Sequence, residues 1–303
     1  MAIMKFKNYL RAFMLLALTL TTSAEVSFEN FVVFGDELSD TGNAYKLTNY
    51  EYPPSPPYYK GRFSNGKNWV DYFVEEHDLC LYNYAYGSAS SDNTLVPTFT
   101  GPKNVSVPGV FQQVNQFLEK DCKKINVEKT LFAVAALCAD YVFTLGQIDA
   151  AEVVERVGNS IKALHESGDA KYIFISPIPP VDHVPAIKSL PTETAELIES
   201  KIALHNKLLF QFLDDFQAKH SEVKLYVLKN MNEIIDHMFE PKILKELGIT
   251  VTDKPCVPDN GYAGKDSIVC DHPEEYVFFD TFQALNTKIY KYISDEVTKL
   301  VWL

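Results

Sequence analysis

The sequence has no surplus of basic residues. Its 303 residues include 28 lysines and arginines against 40 aspartates and glutamates, a formal net charge of −12 at pH 7. Proteins that bind nucleic acids neutralise phosphates with clustered basic residues. The acidic balance therefore argues against nucleic acid as a partner, and it also disfavours acidic polysaccharides and anionic lipid surfaces as ligands.

Apolar runs of the roughly twenty residues that a membrane-spanning helix needs are also lacking. The N-terminal apolar run, from Ala12 to Leu20, is too short; it follows three basic residues and precedes small residues that end at Ala24. This order is typical of a secretory signal peptide. We expect residues 1–24 to be a signal peptide, and we expect the protein to be secreted, with no membrane span.

No linker, repeat or low-complexity tract divides the remainder, and 47% of all residues are hydrophobic. Residues 25–303 are therefore expected to form one domain with a single large core. Short apolar runs alternate with segments of helical period, which predicts an α/β fold with a parallel sheet of about five strands covered by helices on both faces. The strand candidates are Phe31–Phe34, Leu79–Tyr84, Leu131–Ala136, Tyr172–Ser176 and Leu225–Leu228.

Cysteine is scarce, and the five that occur form no CxxC motif; HExxH is absent as well. No metal site or cofactor is expected from these patterns. Cys256 and Cys270 bracket a turn-rich loop and are the best disulfide candidates, since an exported chain folds in an oxidising compartment. Cys138 lies in an apolar run and reads as a small buried hydrophobe. A second disulfide, between Cys80 and Cys122, is a further possibility.

One glycosylation motif, Asn104-Val105-Ser106, lies in a polar stretch that contains proline. Such a position suits a surface loop, and an exported protein meets the enzymes that glycosylate asparagine. We therefore expect Asn104 to carry a glycan.

The first predicted strand leads into "FGDELSDTGN", residues 34–43, which places Glu37 just beyond the strand end. Ligands of open parallel sheets bind beyond the carboxyl ends of the strands. A carboxylate at this position is therefore a candidate functional group. Asp36, Asp40 and Asn43 are short polar residues of the kind that cap helices and brace turns.

"FGDELSDTGN" resembles the first motif of the GDSL, or SGNH, hydrolases, usually FGDSLSDTGN, at every position but one. Four further segments resemble later parts of that family in the same order, and they are "PPYYKGRFSNGKNWVDY", "NYAYGSAS", "LCADY" and "YVFFDTFQ". The resemblance implies a flavodoxin-like three-layer α/β/α fold and descent from esterases or lipases.

The same resemblance assigns the catalytic positions. Glu37 stands where the family has its nucleophilic serine, and Gln283 stands where it has its histidine base, three residues after the retained Asp280. Ala139 replaces the asparagine that donates to the oxyanion, and Ser88 replaces the oxyanion glycine, whose backbone N–H is still present. No catalytic residue is therefore expected, because an amide cannot accept the proton of a nucleophile near neutral pH.

Three functions follow from this pattern. The favoured one is a secreted, catalytically inactive relative whose retained cleft binds a ligand; the alternatives are an active esterase with a non-standard site and a structural or storage protein. In the first case Gln283 donates to Glu37 across the cleft, or else Glu37 points into solvent. Tyr58 and Tyr59 belong to an aromatic, proline-rich segment that could contact the ligand. The preferred ligand class is a neutral or acetylated carbohydrate, and an acyl ester is the alternative. The protein partner, if any, is not indicated.

Overall fold

The computed structural model describes residues 26–135, 138–258, 266–282 and 284–302. The predicted signal peptide, residues 1–24, and the predicted bridge donor Gln283 lie outside the described residues. Within the part of the chain that is described, no helix is both long enough and apolar enough to cross a membrane.

The strands form one five-stranded sheet and one short hairpin. They are, in chain order, β1 (Asn30–Gly35), β2 (Cys80–Asn83), β3 (Phe99–Thr100), β4 (Val105–Ser106), β5 (Thr130–Ala135), β6 (Tyr172–Ile175) and β7 (Lys224–Val227). The large sheet has the order β2-β1-β5-β6-β7, and all of its neighbours are parallel. The hairpin pairs β3 with β4 in antiparallel fashion.

Helices connect and cover these strands. Those of the described residues are α1 (Asn43–Leu47), α2 (Trp69–His77), α3 (Val110–Lys120), α4 (Ala139–Phe143), α5 (Ala150–Glu166), α6 (Pro185–Lys188), α7 (Thr192–Lys219), α8 (Met231–Met238), α9 (Pro241–Leu247) and α10 (Thr287–Trp302). Short 3-10 turns occur at Cys122–Lys124, Val127–Lys129 and Pro273–Glu275.

The central strands are apolar throughout because both faces of the sheet are buried. Alternate residues of β1 point to opposite sides: Phe34 packs with α3, α5 and α7, whereas Phe31 packs with α2, α8 and α10. The result is a three-layer α/β/α arrangement whose strand order, 2-1-3-4-5 when only the large sheet is counted, is that of flavodoxin-like folds. The predicted fold class is confirmed.

All five predicted strands are present, each within one or two residues of its expected bounds. Helical periodicity also located the buried side of α5, where Val153, Val157, Ile161 and Leu164 are buried. The reversal of strand order falls between β1 and β5, and the loops that leave these two strands contain Glu37 and Ala139. The fold thus brings two of the family positions to the usual ligand site of such sheets.

The cysteines behave as follows. Cys256 and Cys270 form a disulfide, as predicted, and Cys138 is buried. Cys80 is an exposed free thiol and Cys122 is a half-buried one, so the possible Cys80–Cys122 pair is not formed. The reason is their placement: Cys80 begins an edge strand, whereas the thiol of Cys122 faces the carbonyl of Gly168.

Asn104, the predicted glycosylation site, is exposed in the turn between β3 and β4. Its side chain is therefore accessible to a modifying enzyme, and the modification itself stays a prediction.

Cysteine accessibility supplies a direct test. In the native protein, iodoacetamide should label Cys80 first, and non-reducing peptide mapping should recover the peptides of Cys256 and Cys270 joined. Replacing both bridged cysteines by serine should lower the free energy of unfolding by roughly 3 kcal/mol, because the bridge closes a loop of about fifteen residues. Labelling of either bridged cysteine before denaturation would contradict the assignment.

Candidate active site

The loop after β1 leaves the sheet at a fixed point. A Cβ on Gly35 would lie 2.7 Å from the carbonyl oxygen of Ala135, so only glycine fits between the two strands. The buried amide of Gln113 holds the same residue from the other side: it accepts from the Gly35 N–H and donates to the Gly35 carbonyl, both at 2.9 Å. Glu37, two residues later, therefore starts from a rigid base.

Asp40 joins this loop to the loop after β2. Its buried carboxylate accepts four backbone N–H groups, from Gly42 at 2.7 Å, Asn43 at 2.6 Å, Ala44 at 2.9 Å and Gly87 at 2.9 Å. Burial raises the pKa of Asp40 to about 6, although the four donors act to lower it. The first three bonds cap α1, as predicted for Asp40. The fourth bond holds Gly87, and it thereby places the next residue, Ser88, in the site.

Ser88 follows Gly87, and its backbone N–H donates to Oε2 of Glu37 at 2.9 Å. Its φ is 70°, in the left-handed region that favours glycine, so the serine side chain costs roughly 1–2 kcal/mol of backbone strain. The family's oxyanion glycine aligns with Ser88. The donor that would face an oxyanion is thus bonded to the side chain that replaces the nucleophile.

The environment of Glu37 disfavours its ionised form. Burial raises the pKa of its carboxyl group, the Ser88 N–H acts to lower it, and the nearby carboxylates of Asp280 and Asp40 raise it further. Two acidic side chains, Glu37 and Asp280, therefore share one end of a confined space.

Asp280 accepts hydrogen bonds from Tyr58 and from the turn that follows Asp280 itself. Its Oδ2 accepts the hydroxyl of Tyr58 at 2.6 Å, and its Oδ1 accepts the backbone N–H groups of Phe282 at 2.9 Å and Ala284 at 3.0 Å. These bonds fix the turn that follows Asp280. In this arrangement the retained aspartate is a structural acceptor.

The third family segment contributes Cys138 and Ala139 to the wall of a cavity. Ala139 opens α4 and lines the cavity with its methyl group. Its neighbour Asp140 is buried and accepts both the N–H and the hydroxyl of Ser91 at 2.8 Å. Burial raises the pKa of Asp140 to about 6. The aspartate of this segment therefore braces the loop that follows Ser88.

These loops enclose a cavity of about 220 Å³. Its polar side chains include those of Glu37, Ser88 and Asp280, and most of the other wall side chains are apolar. The wall residues are Glu37, Tyr52, Phe63, Ser88, Phe99, Gly101, Cys138, Ala139, Val142, Phe143, Val184, Ala186, Ile187, Asp280, Phe282 and Ala284. Phe99, Phe143 and Phe282 are 43%, 51% and 42% exposed, so they form an open rim.

The structure brings four of the sequence-predicted positions to this cavity: Glu37, Ser88, Ala139 and Asp280. Tyr58 and Tyr59, also expected at the cleft, are not among its wall residues. Tyr58 is buried behind Asp280, where its ring packs edge-on against Phe279 with centroids 5.2 Å apart. The tyrosine of that segment that does reach the cavity is Tyr52.

Several site residues carried no sequence signal. Phe143, Val184 and Ile187 read as ordinary apolar positions of helical segments, and only the tertiary fold turns them toward the cavity. Gln113 is completely buried, although glutamine is mostly an exposed residue. A glutamine among buried valines could have indicated a bound backbone group, since buried amides need partners.

The raised pKa of Glu37 predicts a pH-dependent effect of Glu37→Gln. The folded protein holds this proton more tightly than the unfolded chain, so ionised Glu37 costs stability once the pH rises above its folded pKa. Glutamine still accepts the Ser88 N–H and carries no charge. We expect the variant to raise Tm by a few degrees at about pH 8 and by less at about pH 5.

The matched control is Glu246→Gln, which alters an exposed carboxylate on α9. It should leave Tm unchanged at both pH values when both variants are followed by circular dichroism. A lower Tm of Glu37→Gln at both pH values would show that the charge of Glu37 stabilises the fold.

A family model described as GDSL-like Lipase/Acylhydrolase matches residues 31–296. The chain is 24% identical over 278 residues to the thermolabile hemolysin of Vibrio parahaemolyticus serotype O3:K6 (strain RIMD 2210633), with 88% of this chain and 62% of the hemolysin aligned. It therefore spans less than two thirds of that relative. It is 29% identical over 246 residues to a phosphatidylcholine-sterol acyltransferase of Aeromonas hydrophila, with 80% and 70% aligned.

A third relative is the inactive GDSL esterase/lipase-like protein 25 of Arabidopsis thaliana, 26% identical over 305 residues, with 88% of this chain and 71% of that protein aligned. The family model spans every strand of the large sheet except the first residue of β1, and it includes all the loops that form the cavity. The chain belongs to the GDSL-like lipase/acylhydrolase family.

Proposed function

We propose that this protein is a secreted, non-catalytic GDSL family member that binds an acyl ligand in its cleft. One observation carries the proposal: Glu37, which the family resemblance aligns with the nucleophilic serine, accepts the Ser88 N–H at 2.9 Å, beside a cavity with mostly apolar walls.

The loss of catalysis follows from the size of the missing contributions. Removing a catalytic serine or histidine costs on the order of 10⁶ in turnover in a well-studied protease, and removing one oxyanion donor costs roughly 10²–10³. Glu37, Gln283 and Ala139 remove all three kinds of group. These losses are not additive, but the first alone is sufficient.

Glu37 also opposes the family reaction electrostatically. Ester hydrolysis passes through an oxyanion, which donors at the site must stabilise. Here the Ser88 N–H is bonded to Glu37, and an ionised Glu37 would repel the developing negative charge. The substitution therefore removes the nucleophile and raises the energy of the transition state at once.

The walls favour an acyl chain over a sugar ring. A buried sugar hydroxyl without a partner costs about 1–3 kcal/mol, and most of the wall offers aromatic and aliphatic carbon. The cavity of about 220 Å³ lies below the roughly 300–1,000 Å³ typical of drug-sized ligands, which suits a short chain. The name of the Aeromonas relative, a phosphatidylcholine-sterol acyltransferase, also points to acyl lipids.

The polar end of the cavity selects the head group. The carboxyl groups of Glu37 and Asp280 lie at this end, and the raised pKa of Glu37 indicates that a further negative charge is unfavourable there. A ligand head that donates hydrogen bonds, such as an amide or an alcohol, complements them. A fatty acid anion does not.

Secretion is supported by three observations of different kinds. The N-terminal sequence has the pattern of a signal peptide, Cys256 and Cys270 are bridged, and disulfides persist mainly in exported proteins. The names of some relatives, such as the Vibrio hemolysin, are those of toxins. N-terminal sequencing of protein from the culture medium would test it, with Glu25 expected as the first residue.

The activity test uses p-nitrophenyl butyrate. We expect the wild-type protein to hydrolyse it no faster than buffer. We expect a variant with Glu37→Ser, Ser88→Gly, Ala139→Asn and Gln283→His to give measurable turnover, because these changes restore the family residues on loops that the Asp40 contacts still hold in place.

Ser88→Gly alone is the matched control, since it relieves the left-handed strain and supplies no nucleophile. It should fold and stay inactive. Wild-type turnover that disappears in Glu37→Gln would overturn the proposal and would instead identify Glu37 as a catalytic group.

The ligand test compares head groups on one chain length. At neutral pH, octanamide and octan-1-ol should raise Tm, whereas octanoate and N-acetylglucosamine should not. The expected gain is the mass-action term, about 2.7 kcal/mol at a hundredfold excess over Kd. Differential scanning calorimetry at several ligand concentrations would give Kd.

Glu37→Gln should narrow the difference between octanoate and octanamide, because it removes the repelling charge, and Glu246→Gln should not. A shift for the saccharide alone would replace the acyl ligand by a carbohydrate. Equal shifts for octanoate and octanamide in the wild type would contradict the role of Glu37 in selecting the head group.

A further inference from the structure

Three potential metal ligands lie close together at the end of the sheet opposite the cleft. His165 lies in the last turn of α5, His220 follows the last residue of α7, and Glu222 lies in the turn that leads into β7. Strands β6 and β7 begin just after these segments, so the cluster lies at their amino ends, whereas the cleft lies beyond the carboxyl ends of β1 and β5. It shares no residue with the cleft.

The distances fit one tetrahedral ion. Nε2 of His165 is 3.1 Å from Oε1 of Glu222, Nδ1 of His220 is 3.6 Å from the same oxygen, and all three ligand atoms lie within 4.8 Å of one another. Zinc binds such atoms at about 2.0–2.2 Å in tetrahedral geometry, which separates neighbouring ligand atoms by about 3.3–3.5 Å.

The backbone orients His165 in the way that metal-binding histidines are usually oriented. Its Nδ1 lies 3.3 Å from the carbonyl oxygen of Ala170, and a carbonyl can only accept, so Nδ1 carries the proton. The other ring nitrogen, Nε2, faces Glu222 at 3.1 Å, and it is the nitrogen left to bind a metal when the first donates to a carbonyl. Ala170 is itself fixed by its N–H bond to the carbonyl of Leu164 at 3.0 Å.

The other two ligands are held as firmly. The ring of His220 packs on Phe216, with centroids 4.5 Å apart. The side-chain amide of Gln217 donates to the carbonyls of His220 at 3.1 Å and Val223 at 2.7 Å, which fixes the turn that presents Glu222. A metal would find these ligands already ordered.

The charge at this point also suits a cation. The side chain of Glu222 supplies one carboxylate to the cluster. The carboxyl ends of α5 and α7 meet here, and helix carboxyl ends favour positive charge. Lys171 is a nearby positive charge that acts against a bound metal ion.

We propose that His165, His220 and Glu222 bind one zinc ion, with the fourth position open to water, and that this ion ties the end of α5 to the end of α7. Two imidazoles and one carboxylate suit zinc, whereas magnesium and calcium prefer ligands that are all oxygen. The site is independent of the cleft function, because it shares no residue with the cavity wall.

The test uses the full-length mature protein without an affinity tag, freed of metal by a chelator. Isothermal titration with ZnCl₂ should give one ion per chain, and zinc should raise Tm whereas MgCl₂ should not. Cobalt in place of zinc should give the visible absorption of a tetrahedral centre. Neither readout depends on enzymatic activity.

His220→Gln and Glu222→Gln should each weaken zinc binding by about 100-fold or more, since even the outer partners of zinc ligands contribute 10–100-fold. Two variants are used so that one failure to fold does not decide the result. The matched control is His272→Gln, in an exposed cluster with Glu274 and Glu275, which should bind zinc as the wild type does. Absence of saturable zinc binding, or binding that both site variants keep, overturns the proposal.

Discussion

The carboxylate of Asp40 is the contact on which the geometry of the cleft depends. It gathers backbone N–H groups from the loop after β1 and from the loop after β2, and each bond to a charged group contributes about 1.5–3 kcal/mol. Burying an isolated charge would be costly, so the site is stable only with all of these donors in place. Because this frame fixes Gly87, it also fixes the Ser88 N–H beside Glu37.

Within the loops that Asp40 holds, a glutamate at the position of the family's serine is physically favourable. A site that stabilises negative charge has hydrogen-bond donors that point inward, and a buried N–H group without an acceptor is unfavourable. The carboxylate of Glu37 satisfies the Ser88 N–H, while Tyr58 satisfies Asp280. In the alignment with the family motifs, the polar end of the cleft presents acceptors where the family presents donors.

The large elements could be predicted from sequence because their signals are local. Strands buried on both faces show as continuous apolar runs, and α5 shows its buried side in the spacing of Val153, Val157 and Ile161. The disulfide followed from a turn-rich loop between two cysteines. The family motif located Glu37, Ser88 and Asp280, but their bonding partners depend on contacts between distant segments. The hydrogen bond between Tyr58 and Asp280 joins residues 222 positions apart, and no local sequence pattern predicts such a contact.

The open rim has a kinetic consequence. Phe99, Phe143 and Phe282 stand exposed around the mouth, and the walls behind them belong to segments fixed by hydrogen bonds. The proposed acyl ligand would therefore enter without a hinge motion or an ordering step, so its association rate should vary little with the head group. Related ligands in such a site differ mainly in how fast they leave. The distinction between amide, alcohol and acid would thus appear as residence time, set by contacts at Glu37 deep in the cavity.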